Sequence, residues 1–479
     1  MLFITSNPWF FWLFTINALV SLLVIILERK NPEKTIAWLL VFILLPPIGL
    51  FFYILFGRNW KKHTLSDSNI PIEELVFHAM KHVKDYEYSS LIGLLSRNSE
   101  SPLFNDNSIT LFRDGVEKFE EFKKALWNAE NHIHLEYFIV KGSDIGNEIK
   151  DILIAKANEG IKVRFLIDKI GSIKLKPEFV EDLRAGGVEV VQYSYFLAPL
   201  LRRINTQVNY RNHRKIAVID GKIGFLGGLN IGDEYVGKSK YGYWRDTHMM
   251  VKGDFVLGLQ AVFLDDYFTI KEVNRSEDVA FSENFDKYFP KTPAADGKLM
   301  QLALSGPDSK YPSIMQAVLK MITMATDHIY ITSPYFIPSE SIMNALTIAA
   351  MSGIKVHILF PGRYDHILSY YASRTYLAEL VKVGVIVHFY DSNSFIHAKS
   401  VIVDGKIATL GTANMDIRSF ELNYEINAMI YDEEVAEELE TMFFEDLKRS
   451  KRVTEEYFEN LPAKVKVFEA FCRIFSSLL

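Results

Sequence analysis

The chain of 479 residues contains the same pattern twice, and this duplication constrains the fold more than any other feature. The run that begins at His132 resembles the run at His328, and the run that ends at Gly160 resembles the run that ends at Gly353. Both offsets are about 195 residues, which is the size of a domain and far longer than the period of a solenoid repeat. The sequence therefore predicts two copies of one large unit.

Each copy alternates segments typical of strands with segments typical of helices, and helical runs that end at a glycine are followed by apolar strands. This alternation predicts an α/β fold, in which a mixed or parallel sheet lies between layers of helix. We expect two similar α-β-α sandwich halves that share one active site. The predicted segments are a membrane hairpin over 1–62, a partly helical linker over 63–106, the first half over 107–285, the second half over 286–461 and an amphipathic helix over 462–479.

Two long apolar segments lie near the start of the chain. Residues 9–27 contain no charged side chain, nor do residues 36–56, and each segment is long enough to cross the ~30 Å hydrocarbon core of a bilayer. A cleaved signal peptide fits poorly, because no Lys or Arg precedes the first segment. We therefore expect a multi-pass protein of the cell membrane with two helices. The Lys and Arg count does not set its orientation, and we expect the catalytic part on the cytoplasmic side.

Both copies contain one motif, a His followed two residues later by a Lys and, five residues beyond that, by an Asp. Side chains two residues apart on a strand point to the same face, so the imidazole and the ammonium group can share a cleft. In both copies an Asn follows the Asp by ten residues. The candidate catalytic residues are His213, Lys215 and Asp220 with His397, Lys399 and Asp404, and the candidate phosphate-binding residues are Asn230 and Asn414.

Two His, two Lys and two Asn in one cavity would form a cationic site rich in hydrogen-bond donors, which suits a phosphodiester and its transition state. One imidazole can attack phosphorus while the other protonates the leaving alkoxide. Asp246 and Glu425 lie at similar places downstream in the two copies, so either is a candidate to orient a catalytic His. Although they belong to the motif, Asp220 and Asp404 are expected to stabilise the loop that follows the strand.

Other patterns exclude several kinds of site. No cluster has the spacing of zinc or magnesium ligands, and no glycine-rich nucleotide loop precedes a helix, so we predict no metal and no cofactor. The net charge of −6 disfavours a nucleic-acid partner, and the single cysteine, Cys472, excludes an internal disulfide. His132 and His328, at the start of strands, are expected to be structural.

The duplicated motif, with its trailing glycine and asparagine, resembles the phospholipase D superfamily. The hairpin resembles that of the bacterial cardiolipin synthases of this superfamily, with Asn31-Pro32-Glu33-Lys34 in its connector and Phe56-Gly57-Arg58-Asn59 at its end. The resemblance implies that His213 is the nucleophile and that His397 is first the general acid and then the base. It also implies transfer between two phosphatidylglycerol molecules, with membrane lipids as partners and no cofactor. Many relatives have Ser where this chain has Gly228 and Thr412, so only Thr412 retains a hydroxyl near the phosphate.

The residues leave several alternatives open. The same machinery could use water or another alcohol as acceptor, which would make the protein a phospholipase D or a different phosphatidyltransferase. A nuclease of the same superfamily is disfavoured by the negative charge and the hairpin, and a catalytically dead membrane scaffold by two complete motifs. The sequence does not indicate the oligomeric state of the protein. The apolar residues of 462–479 recur every three or four positions, which is compatible with a membrane-surface helix or with packing on the protein's own domain.

Overall fold

The computed structural model describes residues 36, 38–41, 88–193, 210–239, 242–274, 285–291 and 295–476. The chain divides into two compact units, one of residues 1–67 and 195–210, the other of residues 68–194 and 211–479. The predicted span over 9–27 and most of that over 36–56 lie outside the described residues; residues 36 and 38–41 are helical. Among the described residues, no helix combines the length and the apolar character needed to cross a membrane.

The first half of the larger unit is built on a seven-stranded mixed sheet. The elements, in chain order, are α1 (Ser89–Asn98), β1 (Asn107–Phe112), α2 (Gly115–Trp127), β2 (His132–Tyr137), α3 (Asp144–Asn158), β3 (Lys162–Asp168), α4 (Pro177–Ala185), β4 (Glu189–Tyr193), β5 (Arg211–Asn212), β6 (Lys215–Ile219), β7 (Ile223–Gly227), β8 (Trp244–Arg245), β9 (His248–Gly253) and α5 (Phe255–Asn274). The strand order is β1-β9-β7-β6-β2-β3-β4, with parallel pairing only from β2 through β4.

The second half repeats this plan. Its elements are β10 (Met300–Ser305), α6 (Ser313–Met324), β11 (His328–Thr332), β12 (Phe336–Ile337), α7 (Glu340–Met351), β13 (Lys355–Phe360), α8 (Ile367–Lys382), β14 (Ile386–Tyr390), β15 (Phe395–Ile396), β16 (Ser400–Val403), β17 (Ile407–Gly411), β18 (Met415–Asp416), α9 (Ile417–Glu421), β19 (Asn423–Ile430), α10 (Glu433–Leu447), β20 (Ser450–Val453), α11 (Glu455–Glu459) and α12 (Ala463–Ile474). The order is β10-β19-β17-β16-β11-β13-β14-β20, which matches the first sheet strand for strand before β20 adds an edge. The predicted α/β fold of two similar halves is confirmed.

Among the described residues, three large apolar clusters stabilise the unit, beside a small one of Ile337, Ala372 and Cys472. One lies in the first half and one in the second, while the third combines β6, β7 and β9 of the first sheet with β16, β17 and β19 of the second. Ile216 and Val218 of β6 face this shared cluster, as do Ala408 and Leu410 of β17. Burial of such side chains stabilises a fold by about 1.5–3 kcal/mol each for the larger ones, so the two halves are one folding unit.

Two connecting segments pack against residues that are distant in the chain. Helix α5 continues to Asn274, and Tyr288 packs its ring against the His132 and His134 rings of the first half. Helix α1 precedes the first half, yet Leu91 and Leu95 are buried in the core of the second half. Sequence order alone did not indicate this crossover, because it depends on contacts between residues far apart in the chain.

Candidate active site

Two short ladders join the halves beside the motif histidines. Strand β5, which ends just before His213, pairs in parallel with the start of β19, the strand that carries Glu425. Strand β15, which ends just before His397, pairs in parallel with β8, the strand that ends just before Asp246. The same exchange therefore occurs twice, and each ladder aligns the histidine of one half with the carboxylate of the other.

His213 is held by Glu425 from the opposite half. Its Nδ1 donates to Glu425 Oε2 at 2.9 Å, and its backbone N–H donates to the Tyr424 carbonyl at 3.0 Å. The Phe138 ring packs edge-on at 4.7 Å between centroids. Burial lowers the pKa of His213 to about 4 although Glu425 favours the protonated form. At pH 7 the imidazole is therefore neutral, with its proton on Nδ1 and a lone pair on Nε2.

His397 is held in the same way by Asp246. Its Nδ1 donates to Asp246 Oδ2 at 2.7 Å, and its backbone N–H donates to the Arg245 carbonyl at 2.7 Å. The site is not fully symmetric, because Lys399 Nζ lies 2.8 Å from the same Nδ1 and 3.7 Å from Asp246 Oδ2. Burial, followed by the charge of Lys399, lowers the pKa of His397. The sequence singled out both carboxylates, and each one contacts the motif histidine of the opposite half.

The two lysines bring positive charge into the buried site. Lys215 Nζ donates to the His213 carbonyl at 2.6 Å, and Lys399 Nζ donates to the corresponding carbonyl of His397. Burial lowers the pKa of Lys215 to about 7, with Glu425 acting to raise it and Lys399 to lower it. The pKa of Lys399 is also lowered by burial. An anion that entered between these ammonium groups would favour their charged forms.

Gly228 and Thr412 occupy equivalent places, and each lies beside a histidine-holding carboxylate. A Cβ built at Gly228 would lie 2.0 Å from Asp246 Oδ1, so a side chain there is incompatible with the position of this carboxylate. In the second half the Thr412 hydroxyl is near Glu425 and also bonds to Ile426, accepting from its N–H at 2.9 Å. The first half therefore has no hydroxyl at this position because a side chain on residue 228 would collide with Asp246.

The two motif asparagines differ in their environment. Asn230 is engaged within the first half, because its Oδ1 accepts from the Ile139 N–H at 3.1 Å and its Nδ2 donates to the Tyr235 hydroxyl at 3.0 Å. Asn414 is buried with its Oδ1 lacking a hydrogen-bond partner, and its backbone N–H donates to Ser419 Oγ at 3.2 Å. The Asn414 side chain thus keeps an amide oxygen without a partner in the protein, whereas both polar atoms of the Asn230 amide form hydrogen bonds within the first half.

Asp220 and Asp404 lie at the opposite end of the motif strands from the histidines. Asp220 accepts from the N–H groups of residues 130–132, and Asp404 from those of residues 326–328. Both have positive φ, 56° and 55°, which is unusual for a residue other than glycine. Both carboxylates therefore bind the turns at which β2 and β11 begin.

His132 and His328, expected to be structural, are bound outside the site. His132 Nε2 lies 2.9 Å from Gln260 Oε1, and His328 Nε2 lies 2.6 Å from Glu440 Oε1. Among the residues the structure describes, no group of three or more His, Cys, Asp or Glu is arranged to hold a metal ion.

Several residues around the histidines lie outside the motifs of the sequence. Arg418, half-buried at the start of α9, interacts electrostatically with Glu425 and with Arg211, and burial followed by Arg211 lowers its pKa. On the other side, Asp365 accepts from the Tyr335 hydroxyl and acts electrostatically on His397. Arg211 stands two residues before the motif histidine His213, so its place in the sequence could have indicated a residue near the site. Asp365 lies in a loop without a motif, and no pattern pointed to it.

Comparison with known proteins identifies close relatives. The family model described as "Cardiolipin synthase, PLD-like domain" matches residues 122–240 and 318–447, and the model described as "Phospholipase D-nuclease N-terminal" matches residues 16–58. The major cardiolipin synthase ClsA of Bacillus subtilis (strain 168) is 39% identical, over 97% of this chain and 98% of that protein. A cardiolipin synthase of Halalkalibacterium halodurans is 40% identical, over 100% of this chain and 97% of that protein.

The fold also resembles solved structures. The crystal structure of phosphatidylserine synthase from Haemophilus influenzae Rd KW20 superimposes with a TM-score of 0.62, covering 81% of this chain and 100% of that one. The two sequences are only 15% identical, so this likeness concerns the fold alone.

Proposed function

Because the chain belongs to the cardiolipin synthase family of phospholipase D-like proteins, we propose that it transfers a phosphatidyl group from one phosphatidylglycerol molecule to another and releases glycerol. The family membership makes it a phosphatidyltransferase with cardiolipin synthase function. The observation that carries the proposed chemistry is the pair of buried imidazoles, each oriented by a carboxylate from the opposite half.

In the first step, His213 Nε2 attacks the phosphorus of the first lipid, the bond from phosphorus to the glycerol oxygen breaks, and His397 gives its proton to that oxygen. Glu425 supports this step, since it holds the proton on Nδ1 and compensates the charge that the ring acquires. His397 must be protonated at this stage. The negative charge of the bound phosphodiester acts against the burial and the Lys399 charge that lower the pKa of His397.

In the second step, His397 takes the proton from the terminal hydroxyl of a second phosphatidylglycerol. The oxygen attacks phosphorus and the bond to His213 breaks, which restores both imidazoles. Lys215 and Lys399 stabilise the charge on the equatorial oxygens in both transition states. One phosphodiester replaces another, so the step consumes no nucleotide.

The acceptor lipid carries a phosphate of its own, and we propose that Arg211 and Arg418 bind it. Support comes from Arg418, which interacts electrostatically with Glu425 and whose pKa is lowered by burial and by the charge of Arg211. Burial also lowers the pKa of Arg211, which stands two residues before His213. Planar guanidinium groups bind phosphate through paired hydrogen bonds. Water carries no phosphate, so such a subsite would favour the lipid over water as acceptor.

For the membrane, we propose anchoring by the two apolar segments over 9–27 and 36–56. The match of residues 16–58 to the amino-terminal family model and the absence of charged residues in both segments support this. Deleting residues 1–60 should release the protein from membranes in a flotation assay, and the catalytic part is proposed to face the cytoplasm.

One assay tests the reaction. The purified full-length protein is incubated with phosphatidylglycerol vesicles, and cardiolipin, phosphatidic acid and glycerol are measured. We expect cardiolipin and glycerol in equal amounts, with a trapped phosphatidyl-protein adduct that is lost in His213→Ala. Phosphatidic acid as the main product would favour the hydrolase alternative, and full activity in His213→Ala would exclude covalent catalysis at this residue.

A further inference from the structure

Helix α12 is oriented with its apolar side toward solvent. Glu469 and Cys472 face the protein and are 6% and 0% exposed. Val467, Phe471 and Ile474 face outward and are 70%, 50% and 74% exposed. A helix that packs on its own domain normally buries its apolar stripe, so this orientation is the reverse of the usual one.

Polar contacts hold the helix in this orientation. Glu469 forms a buried ion pair with Arg374 of α8, with 2.8 Å between Glu469 Oε1 and Arg374 Nε. Near the end of the helix, Arg473 pairs with Glu379, also on α8. Turning the apolar stripe inward would break both pairs and leave Arg374 buried beside no carboxylate, which is costly. The outward stripe is therefore a property of the folded protein.

Lysines flank the stripe. At about 100° per residue, Lys464 and Lys466 lie on opposite sides of the line formed by Val467, Phe471 and Ile474. Both lysines are exposed. An apolar stripe bordered by long basic side chains is the arrangement of helices that lie in a lipid interface, where the ammonium groups reach the headgroups.

The stripe continues toward the active site through aromatic contacts. The Phe468 ring of α12 packs edge-on against Tyr371 of α8, with 5.1 Å between centroids, and Tyr371 contacts Tyr364 at 6.4 Å. Two more apolar side chains at the start of α8, Ile367 and Leu368, are 47% and 41% exposed. We call the outward stripe of α12 together with Tyr364, Ile367 and Leu368 the rim surface.

The rim surface reaches the catalytic groups through one residue. Asp365 follows Tyr364 and accepts from the Tyr335 hydroxyl. Asp365 also acts electrostatically on both His397 and Lys399. An apolar surface that adjoins a phosphate site is suited to a ligand with a charged head and apolar tails.

We propose that the rim surface docks on a lipid bilayer and orients the active site toward the headgroups of its substrates. This inference rests on the proposed function, because a diacyl lipid has to reach the site from a bilayer. A second copy of the chain is a less suitable occupant, because its stripe has the same flanking lysines and would bring further positive charge to the contact, whereas a bilayer supplies anionic headgroups.

The first experiment measures depth in the membrane. The full-length protein with Phe471→Cys carries an environment-sensitive fluorophore and is reconstituted into phosphatidylglycerol vesicles that contain a doxyl-labelled lipid. Ile348→Cys is the matched control, because Ile348 is 64% exposed on α7, outside the rim surface. The unsubstituted chain gives the labelling background, since its only cysteine, Cys472, is buried. We expect the lipid to quench the label at 471 but not at 348.

The second experiment measures turnover. The double variant Val467→Ser/Ile474→Ser should lose about tenfold in turnover on vesicles and keep its turnover in detergent micelles, where lipid diffuses to the site. Ile348→Ser/Met351→Ser, equally exposed on α7, should change neither.

Three results would overturn the proposal: equal quenching at both labels, crosslinking of the labels at 471 between two copies, or an equal loss in vesicles and micelles with a lower melting temperature. Absence of cardiolipin from the unsubstituted protein in both assays would instead refute the proposed function, and the quenching experiment would still decide the docking.

Discussion

Replacing Glu425 by Gln tests whether the exchange of carboxylates between halves serves catalysis. Glu425 is fully buried, and its oxygen accepts from His213 Nδ1 at 2.9 Å. A Gln amide can instead donate to Nδ1, which would move the ring proton to Nε2 and block the attack on phosphorus. The change also removes the carboxylate that keeps the pKa of Lys215 as high as about 7.

The expected loss follows from the burial of the pair. The attack gives the His213 ring a positive charge, so the loss of the carboxylate costs the transition state about 3–5 kcal/mol while the neutral resting ring loses far less. Each 1.36 kcal/mol corresponds to tenfold in rate, so kcat should fall between about 150-fold and about 5,000-fold. The chain offers a matched control in Glu440→Gln, because Glu440 holds His328 at 2.6 Å in the same half but outside the site. This control should change kcat less than about twofold.

The assay is cardiolipin formation under single-turnover conditions, with trapping of the phosphatidyl adduct and a melting curve for each variant. Glu425→Gln should melt close to the unsubstituted protein and accumulate no adduct. A kcat within tenfold of the unsubstituted enzyme, or an equal loss in Glu440→Gln, would refute the assigned role.

Three further predictions concern the same site. Gly228→Ser should reduce kcat about 100-fold, because its Cβ would displace the carboxylate that holds the second histidine; full activity would show that the carboxylate can move. The pH profile of kcat/KM should rise through about 4 as His213 loses its proton and fall toward higher pH as His397, the general acid with a lowered pKa, and then Lys215, at about 7, lose theirs; a profile flat from 6 to 9 would contradict both requirements. Arg418→Gln should raise the ratio of phosphatidic acid to cardiolipin at least about threefold, whereas the exposed Arg452→Gln on β20 should not; equal ratios would remove the acceptor subsite.

The motif residues and the division into two halves could be predicted from the sequence, because each copy carries its own local pattern. Strand periodicity placed His213 beside Lys215, and the repeat placed Asp246 and Glu425 at comparable positions. Their exchange between halves could not be predicted, since it depends on β5 joining β19 and β15 joining β8 after the sheets have packed. The assigned catalytic roles of these residues remain predictions that the variants above test.

Two other features show where local patterns were insufficient. The spacing of apolar residues in α12 predicted an amphipathic helix but not its outward orientation, which depends on the ion pair between Glu469 and Arg374. Asp220 and Asp404 stand inside the motif, yet their carboxylates bind backbone N–H groups at the far end of the strand. A motif indicates which residues occur together in the sequence, but the role of each residue depends on its contacts in the folded protein.

The exchanged carboxylates have a consequence for how such a protein could have arisen. Since Glu425 holds His213 and Asp246 holds His397, neither half contains both a motif histidine and the carboxylate that holds it. A single-copy ancestor with this arrangement could have been active only as a homodimer, with its two-fold axis passing between the imidazoles. Fusion of the two copies would then have freed each half to diverge, so that one kept a threonine and the other a glycine beside its carboxylate. The pseudosymmetric enzyme can thus assign different tasks to histidines that symmetry once made equivalent.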